Sequence, residues 1–344
     1  MPNLPFISII VPCRNEKKYI EGLLKSIDSQ DYPKDRLEVI IADGMSDDGT
    51  REILSNIKSD FNYLTVIDNE KKIVPTALNK AIRMSKGEYI IRLDAHSFYP
   101  CSYFSRLIEV IEKTGADNVG GMWITEPGDS SLKAKAISLA TSHPFGVGNS
   151  AYRTPTVKTD PFEVDTVPFG CYRRSVFERI GYFDEELVRN QDNEFNERLL
   201  NNDGKILLIP DLKIKYFARE NFSKLWLMNY HYSLFGPLVD KKLNKRPRLR
   251  KYVPSLFVLS LAIPTLLGFK IKKLRYISAF SAFLYLILNM YFSLKICIRE
   301  RNFRLFAYLM SAFIVTHFSY GIGFLIGSVR LDLNNNKDFT SISR

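Results

Sequence analysis

The chain has 344 residues, enough for one large α/β domain with an appended segment and too many for a small disulfide-stapled module. Its 48 lysines and arginines outnumber 37 aspartates and glutamates, and the net charge of +11 suits nucleic acid, an anionic membrane surface or phosphorylated substrates. The four cysteines form no CxxC pair, which excludes a zinc ribbon and gives no sign of a disulfide framework. This cysteine usage fits a reducing compartment.

Residues 1 to about 125 alternate between short apolar runs and amphipathic stretches, a pattern typical of βαβ units. The apolar runs are continuous, as in strands of a parallel sheet that are buried on both faces. Helical spacing appears between them, for example at Leu23, Leu24 and Ile27. We therefore predict a Rossmann-like α/β domain with a mostly parallel sheet, and strands at residues 6–11, 37–42, 63–67, 88–93 and 117–125.

Long, nearly uncharged apolar segments dominate the chain after residue 250, and they occupy residues 252–269, 276–296 and 303–327. Each approaches the roughly 20 residues that cross a bilayer. The first contains Pro254 and Pro264, so a re-entrant or interfacial helix competes there with a true span. A basic run at residues 241–251 stands directly before it, as juxtamembrane basic stretches do. This position favours a membrane over nucleic acid as the partner of the positive charge.

Composition divides the chain into an α/β domain at residues 1–240, a basic linker at 241–251, two or three membrane-associated helices at 252–330 and a polar tail at 331–344. Long loops are expected in the middle, where Gly, Pro and polar residues are frequent, and function tends to lie on such loops. The apolar run at residues 6–11 is too short for a signal-peptide core and meets Pro12 at once. We therefore expect the N-terminal domain to stay cytoplasmic.

Polar loops follow the first two predicted strands, at residues 11–16 and 42–50. Open α/β sheets bind ligands at the carboxyl ends of their strands, where both loops are expected to lie. Asp43, at the end of the second strand, can accept a hydrogen bond from a base N–H or a ribose hydroxyl. The Gly, Ser, Asp and Thr residues after it suit a turn that starts the next helix. Each loop alone is explained as well by an ordinary turn and helix cap.

The fourth predicted strand runs into Asp94-Ala95-His96. Strand alternation places Asp94 and His96 on one side, where a carboxylate and an imidazole can bind one cation. Such a cation stabilises the charge that builds on a leaving diphosphate. Further along, Asp192 and Glu194 begin an amphipathic helix. A carboxylate there is either an acid favoured by the helix dipole or a general base for an attacking hydroxyl, and either residue suits the second role.

These four pieces, in this order, resemble the family 2 inverting glycosyltransferases of GT-A fold, and the resemblance covers about residues 6 to 240. It implies that Asp43 contacts a uracil-type nucleobase, that Asp94 and His96 bind the metal, and that Asp192 is the general base of the reaction. Asp94 would also contact the nucleotide. The remaining donor-site residues that we assign with it are Pro12, Arg14, Glu16, Asn79 and Arg92. The family usually has Asp-x-Asp where this chain has Asp94-Ala95-His96, and histidine is an acceptable manganese ligand.

Within the family, the chain is similar to the bacterial exopolysaccharide enzymes of succinoglycan type, in the segments 92–96, 143–149, 164–170 and 183–192. This similarity implies transfer from a nucleotide-sugar donor, UDP-linked, to a hydroxyl of a lipid-linked glycan, with Mn²⁺ or Mg²⁺ as cofactor. The expected place is the cytoplasmic side of the inner membrane. Other polysaccharide-assembly enzymes are expected partners, and nucleic acid is not.

Two alternatives stay open at this level. A polyprenyl-phosphate sugar synthase would use an acceptor phosphate that is already ionised, so it would need a base less. A non-catalytic membrane scaffold would keep the fold without the chemistry, and the joint presence of Asp43, Asp94, His96 and Asp192 argues against it. A processive synthase fits poorly because the Gln-x-x-Arg-Trp motif of that subgroup is missing, since no glutamine follows Gln191.

Overall fold

A computed structural model describes residues 4–148, 150–245 and 249–329 of the protein. The chain forms two compact units. Of the described residues, the first unit contains those up to Ile124 together with Pro155–Tyr216, and the second contains Thr125–Thr154 and those from Phe217 to Val329. Residues 125–154 and 217–240 thus belong with the C-terminal helices, whereas composition alone placed the division near residue 240.

A nine-stranded sheet is present in the described part of the chain, with the spatial order β3-β2-β1-β4-β8-β6-β9-β5 and β7 paired to β9. Its strands are β1 (Ile7–Cys13), β2 (Leu37–Asp43), β3 (Leu64–Asp68), β4 (Tyr89–Arg92), β5 (Ser97–Phe98), β6 (Asn118–Glu126), β7 (Phe162–Glu163), β8 (Cys171–Arg173) and β9 (Ile206–Phe217). Strands β1 to β4 and β6 confirm the five predicted strands, with ends that differ by at most two residues.

The first four strands pair in parallel in the order β3-β2-β1-β4, as the apolar runs predict. By contrast, β8 pairs antiparallel with β4 and β6, and β5 and β7 pair antiparallel with β9. The sheet as a whole is therefore mixed. Strands of two or three residues such as β5, β7 and β8 are too short to show a periodicity, so the sequence did not reveal the antiparallel half.

The helices of the described residues begin and end as follows: α1 (Ile20–Asp28), α2 (Thr50–Ile57), α3 (Val74–Met84), α4 (Tyr103–Thr114), α5 (Leu132–Thr141), α6 (Pro144–Val147), α7 (Arg174–Ile180), α8 (Gln191–Asn201), α9 (Phe222–Leu234), α10 (Gly236–Lys242), α11 (Leu249–Leu267), α12 (Leu274–Arg299) and α13 (Phe306–Val329). In the first unit they are amphipathic: α1, for example, buries Leu23, Leu24 and Ile27 and exposes its polar face.

The apolar core of the first unit lies between the parallel strands and their helices, around Ile9, Val39, Ile91 and Phe104. A polar contact lies near the start of β1, where the Ser8 hydroxyl donates to Glu38 and accepts from the Gly87 amide, at 2.7 Å each. A Cβ on Gly87 would meet the Ser8 nitrogen at 2.5 Å, so only glycine fits there. This packing fixes the start of β4 against β1.

The second unit has its own core, in which α5 packs with the C-terminal helices around Ile137, Leu225, Ile296 and Phe313. The short helix α6, where a loop was expected, stacks Phe145 against Phe292 with ring centroids 4.6 Å apart. The segment from residue 143 to 148 is thus packed on the helices of its own unit. The predicted loop residue Asn149 lies outside the described residues.

Two helices of the described ranges, Leu274–Arg299 and Phe303–Val329, are long and apolar enough to cross a membrane, with mean hydropathies of 1.6 and 1.7. In the first of these only 11% of the most apolar window is buried within the protein, so most of its apolar surface is open. Helix α11, which has Pro254 and Pro264 in its interior, is not among the helices that are long and apolar enough to cross a membrane. Residues 246–248 of the basic run and the tail 331–344 lie outside the described residues.

We expect the protein to remain in the membrane fraction after washing with high salt and with alkaline carbonate, because the open apolar surface of α12 is stabilised by lipid. Salt screens an electrostatic attachment, since the Debye length falls to about 3 Å at 1 M, but it does not release an inserted helix. The measurement is immunoblotting of pellet and supernatant. A Lys241→Gln/Lys242→Gln variant is the control and should be retained equally. Release by salt alone would contradict insertion.

Candidate functional site

The predicted site residues lie in the first unit, and Pro12, Arg14, Asp43, Arg92 and Asp94 lie at the edge of the sheet where β1, β2 and β4 end. Strand order changes direction between β1 and β4, and ligands of open α/β sheets bind at such a switch point. Non-glycine residues with positive φ are found in the loops of this edge: Asn15 at 55°, Met45 at 57° and Lys72 at 60°. Backbone conformations of this kind persist where the surrounding structure enforces them, often at functional sites.

The loops after β1 and β2 are joined by hydrogen bonds. The Asn15 amide donates to the Ser46 hydroxyl at 2.8 Å, and the Asp47 amide donates to the Asn15 side chain at 3.0 Å. The Glu16 amide donates to the Thr50 hydroxyl at 2.9 Å. These contacts explain the Ser, Asp and Thr residues that the sequence shows in the second loop, and they give both loops one fixed geometry.

Asp43 is 1% exposed and its carboxylate is already engaged. It accepts from the Ser46 amide at 3.0 Å, from the Ser46 hydroxyl in a short contact, and from Arg51 Nη1 at 2.9 Å. The other end of the Arg51 guanidinium contacts Asp68 Oδ1, also at 2.9 Å. Arg51 and Asp68 were not among the residues predicted from the sequence. Asp68 ends β3 as Asp43 ends β2, so a comparison of parallel strand ends would have found it.

Arg14 and Pro12 are the other predicted donor residues at this edge. Pro12 lies within β1 opposite Ala42 of β2, and Arg14 is the first residue after that strand. The Arg14 side chain lies against Gly44, where a Cβ would be 3.1 Å from the arginine Cβ, and Nη1 donates to the Lys72 carbonyl at 3.4 Å. The structure thus brings Arg14 beside the loop that Asp43 begins.

The backbone around Asp94 is fixed from two sides. The Leu93 amide donates to the Ile10 carbonyl at 3.0 Å, and the Asp94 amide donates to the Tyr99 hydroxyl at 2.9 Å. Burial, and then the negative charge of Asp94, raise the pKa of Tyr99 well above its usual value, so the phenol keeps its proton. The Asp94 loop is therefore held by neutral contacts while its carboxylate remains partly exposed.

Arg92 joins two predicted site residues. Its side chain is only 9% exposed, with Nε and Nη2 at 3.3 and 3.2 Å from Asp94 Oδ1 and Nη1 at 3.8 Å from Asp192 Oδ2. Burial disfavours the charged guanidinium, yet the carboxylates of Asp94 and Asp192 raise the pKa of Arg92 above its usual range. Arg92 is therefore a permanent buried cation between the Asp94 loop and helix α8.

His96 lies near Glu16, with 3.4 Å between Nδ1 and Oε1, and both side chains are partly exposed. Among residues 4–148, 150–245 and 249–329, no three His, Cys, Asp or Glu side chains converge as a metal cluster. Asp94 and His96 still offer a carboxylate oxygen and an imidazole nitrogen on one loop. Mg²⁺ and similar cations are commonly held by one or two protein ligands together with substrate phosphates and water. The two side chains fit a cation that is shared with a diphosphate.

Asp192 and Glu194 have different surroundings at the start of α8. Asp192 is 43% exposed, and one of its oxygens accepts from the Asn193 amide at 3.0 Å. Glu194 is 6% exposed and forms a bidentate pair with Arg198, at 2.7 and 2.9 Å. Arg198 also donates to the backbone carbonyls of Ile180 and Tyr182. Glu194 thus belongs to a structural network, whereas Asp192 is open to a substrate.

Asn79 lies away from these groups, buried on α3. Its side-chain amide donates to the Phe183 carbonyl at 2.8 Å, and its side-chain oxygen accepts from the Phe183 amide at 3.0 Å. The same amide nitrogen contacts Glu185 at 3.1 Å. These contacts show that Asn79 holds the loop that leads to α8, and the donor contact assigned to it from the sequence stays a prediction.

Comparisons with known proteins show the family of the chain. The sequence model of glycosyl transferase family 2 matches residues 8–181. The succinoglycan biosynthesis protein ExoA of Rhizobium meliloti is 32% identical over 248 residues, which cover 72% of this chain and 73% of that protein. A dolichyl N-acetyl-alpha-D-glucosaminyl phosphate 3-beta-D-2,3-diacetamido-2,3-dideoxy-beta-D-glucuronosyltransferase of Methanococcus voltae is 28% identical over 245 residues, covering 69% of this chain and 74% of that protein.

Solved structures share the fold at low identity. The mannosyltransferase PcManGT of Pyrobaculum calidifontis, in complex with GDP-Man and Mn²⁺, has a TM-score of 0.59 at 19% identity and covers 93% of this chain and 88% of its own. TarS 1-349 of S. aureus with UDP-GlcNAc has a TM-score of 0.53 at 18% identity, covering 96% and 92%. The family model and the 32% identical relative show the family as well as the fold. This chain belongs to glycosyl transferase family 2, with a mixed α/β domain of GT-A type.

Proposed function

We propose that the protein transfers a sugar from a UDP-sugar to a hydroxyl of a lipid-linked saccharide, with inversion at the anomeric carbon, in exopolysaccharide or cell-surface glycan synthesis. The observation that supports this most is the open carboxylate of Asp192, 3.8 Å from the guanidinium that also binds Asp94. A base is useful only if the acceptor must lose a proton. An exposed carboxylate beside the donor loop therefore favours a hydroxyl acceptor.

In the proposed reaction, Asp192 Oδ2 takes the proton of the acceptor hydroxyl as that oxygen bonds to the anomeric carbon. The bond between this carbon and the diphosphate oxygen breaks with both of its electrons leaving on the nucleoside diphosphate. Attack and departure occur on opposite sides of the carbon, so the configuration inverts. A divalent cation, Mn²⁺ or Mg²⁺, held by Asp94, His96 and the diphosphate would neutralise the charge on the leaving group.

At the other end of the donor, we propose that Asp43 contacts the nucleobase of the nucleotide. Its carboxylate is held by Ser46 and Arg51, so it is fixed before the donor arrives and little ordering is needed on binding. Pro12, Arg14 and Glu16 stay predicted donor-site residues because they lie on the adjoining loop. A bound UDP-GlcNAc in TarS and a bound GDP-Man in PcManGT show that nucleotide sugars suit related folds.

The lipid-linked acceptor and the membrane location are proposed together. The name of the Methanococcus voltae relative describes an acceptor sugar on dolichyl phosphate, and the name of the Rhizobium meliloti relative describes succinoglycan synthesis. Two helices of the described chain are able to cross a membrane. We place the enzyme at the cytoplasmic face of the inner membrane, where nucleotide sugars are made, with other polysaccharide-assembly enzymes as partners and no nucleic acid.

Asp192→Asn is expected to lower turnover by about a hundredfold to ten-thousandfold, because the amide cannot take the proton, and to leave UDP affinity within about threefold. Turnover is measured with radiolabelled UDP-sugars, membranes and a crude extract of lipid-linked saccharides. UDP binding is measured by calorimetry on the detergent-solubilised full chain.

Glu194→Gln is the matched control for Asp192→Asn. It weakens the Arg198 pair, so we expect a lower melting temperature and turnover within about tenfold of the unaltered protein. Near-normal turnover of Asp192→Asn together with loss of turnover in Glu194→Gln would reverse the assignment. Near-normal turnover of Asp192→Asn on a polyprenyl phosphate would favour the phosphate-acceptor alternative.

Activity is expected to need a divalent cation and to disappear in excess chelator, since Asp94 and His96 provide only two protein ligands and the diphosphate must share the ion. His96→Asp restores the common Asp-x-Asp pattern and should keep much of the activity. Asp94→Ala should abolish binding of the donor with Mn²⁺, as followed by calorimetry. Full activity in excess chelator would exclude the metal role.

Asp43→Asn is expected to weaken UDP binding by about tenfold to a hundredfold, because a hydrogen bond to a charged group contributes roughly 1.5–3 kcal/mol. Turnover at saturating donor should change by less than about threefold, since Asp43 is remote from the reacting carbon in this assignment. The exposed neighbour Asp47 provides the control variant Asp47→Asn. If both variants and the unaltered chain bind UDP with equal affinity, Asp43 does not contact the donor.

A further inference from the structure

Arg92 is the buried cation of the site, and its contacts connect the two loops that the proposed reaction uses. We propose that Arg92 is a positioning residue: it sets the Asp192 carboxylate relative to Asp94, so that the base and the donor loop keep one geometry. This inference rests on the proposed role of Asp192 as the base. It differs from the donor contact that the sequence suggested for Arg92, because the guanidinium is 9% exposed and faces two carboxylates.

The backbone of Arg92 cannot move freely. It ends β4, which pairs with β1 on one side and with β8 on the other. The Arg92 amide donates to the Gly170 carbonyl at 3.0 Å. A Cβ on Gly170 would meet the Asn118 side-chain oxygen at 2.2 Å, so the chain that receives this bond is itself packed tightly. The guanidinium therefore extends from a rigid support in the sheet.

The guanidinium divides its nitrogens between two partners. Nε and Nη2 both approach Asp94 Oδ1, while Nη1 lies 3.8 Å from Asp192 Oδ2, an ion-pair distance that is longer than a hydrogen bond. A guanidinium is planar and its donors have fixed directions, so one contact determines the direction of the other. Asp94 is fixed through its own amide by Tyr99. The Asp94 loop thus sets the orientation of the Arg92 guanidinium, and the guanidinium in turn sets the position of the carboxylate at the start of α8.

The hydrogen bond that the Asp192 carboxylate accepts at the start of α8 is local, from the Asn193 amide, and the neighbouring acid Glu194 is engaged by Arg198. The residue before α8, Asn190, has a φ of 63°, so the helix begins from a sharp turn. Small rotations of this turn would move Asp192, and a misplacement of about 1 Å can cost about a hundredfold in rate.

Lysine is not equivalent to Arg92 at this place. A single ammonium can pair closely with one carboxylate, and Asp94, at 3.2 Å, is nearer than Asp192, at 3.8 Å. The Arg92→Lys variant should therefore keep the buried charge and the Asp94 contact but lose the connection to Asp192. Removing the charge altogether leaves two carboxylates without their partner and is strongly destabilising.

The test is a double-mutant cycle between Arg92→Lys and Asp192→Asn, read as turnover with a radiolabelled UDP-sugar and a lipid-linked saccharide extract. In the unaltered background we expect Arg92→Lys to lower turnover by tenfold or more and to change UDP affinity by less than about threefold. In the Asp192→Asn background we expect the same change to lower turnover by less than about twofold, because the group that Arg92 orients is no longer a base.

Arg174→Lys is the matched control, since Arg174 lies after β8 and donates to the Gly87 carbonyl and the Ser85 hydroxyl, away from the site. It should leave turnover within about twofold in both backgrounds. Melting temperatures of all variants show whether they fold, and turnover is compared at a temperature below the lowest of them.

An equal loss from Arg92→Lys in both backgrounds would overturn the inference while leaving Asp192 as the base. A loss of UDP affinity that accounts for the whole effect would overturn it as well, in favour of a donor contact. Unchanged turnover of Asp192→Asn itself would instead remove the base assignment, and the role of Arg92 would fall with it. These three results differ, so failure of the inference is distinguished from failure of the proposed function.

Discussion

The carboxyl ends of four parallel strands meet at one edge of the sheet, and the candidate site depends on this constraint. Residues far apart in the chain, such as Asp43 and Asp94, become neighbours in the fold because β2, β1 and β4 lie side by side. The strand interiors are apolar and buried, so polar groups can appear only where the strands end. The sheet therefore decides where chemistry is possible, and the loops decide which chemistry it is.

Three arginines of the first unit each contact groups from more than one place in the chain. Arg51 bridges the ends of β2 and β3, Arg92 connects the Asp94 loop to α8, and Arg198 joins α8 to the loop before it. The planar fork of arginine suits such bridges better than the single ammonium of lysine. Part of the basic composition thus serves the internal order of the first unit, in addition to any attraction to a membrane.

The sequence predicted the parallel half of the sheet closely because β1 to β4 are continuous apolar runs bounded by turns. It did not predict β5, β7 and β8, since strands of two or three residues are defined by their partners and not by their own pattern. At the site, the family resemblance favoured Asp192 as the general base, and the residues alone left Glu194 as its competitor. The Arg198 contact of Glu194, which depends on helix geometry, supports the preference for Asp192.

Buried contacts were the other limit of sequence reasoning. The positions of Asn79 and Arg92 were predicted to face the donor, but burial and hydrogen-bond partners are properties of the packed fold. Arg51 and Asp68 carried no motif of their own, so they were missed although they contact a predicted residue. Strand-end position is the signal that the sequence did contain for Asp68.

The order of synthesis matters for a protein whose second unit is built from separated parts of the chain. Thr125–Thr154 leaves the ribosome well before Ile296 and Phe313, with which it shares a core. Domains tend to fold as units in the order in which they are made. The core around Ile137 can therefore be completed only once α13 has been made, so the apolar side chains of α5 stay uncovered while the residues between them are synthesised.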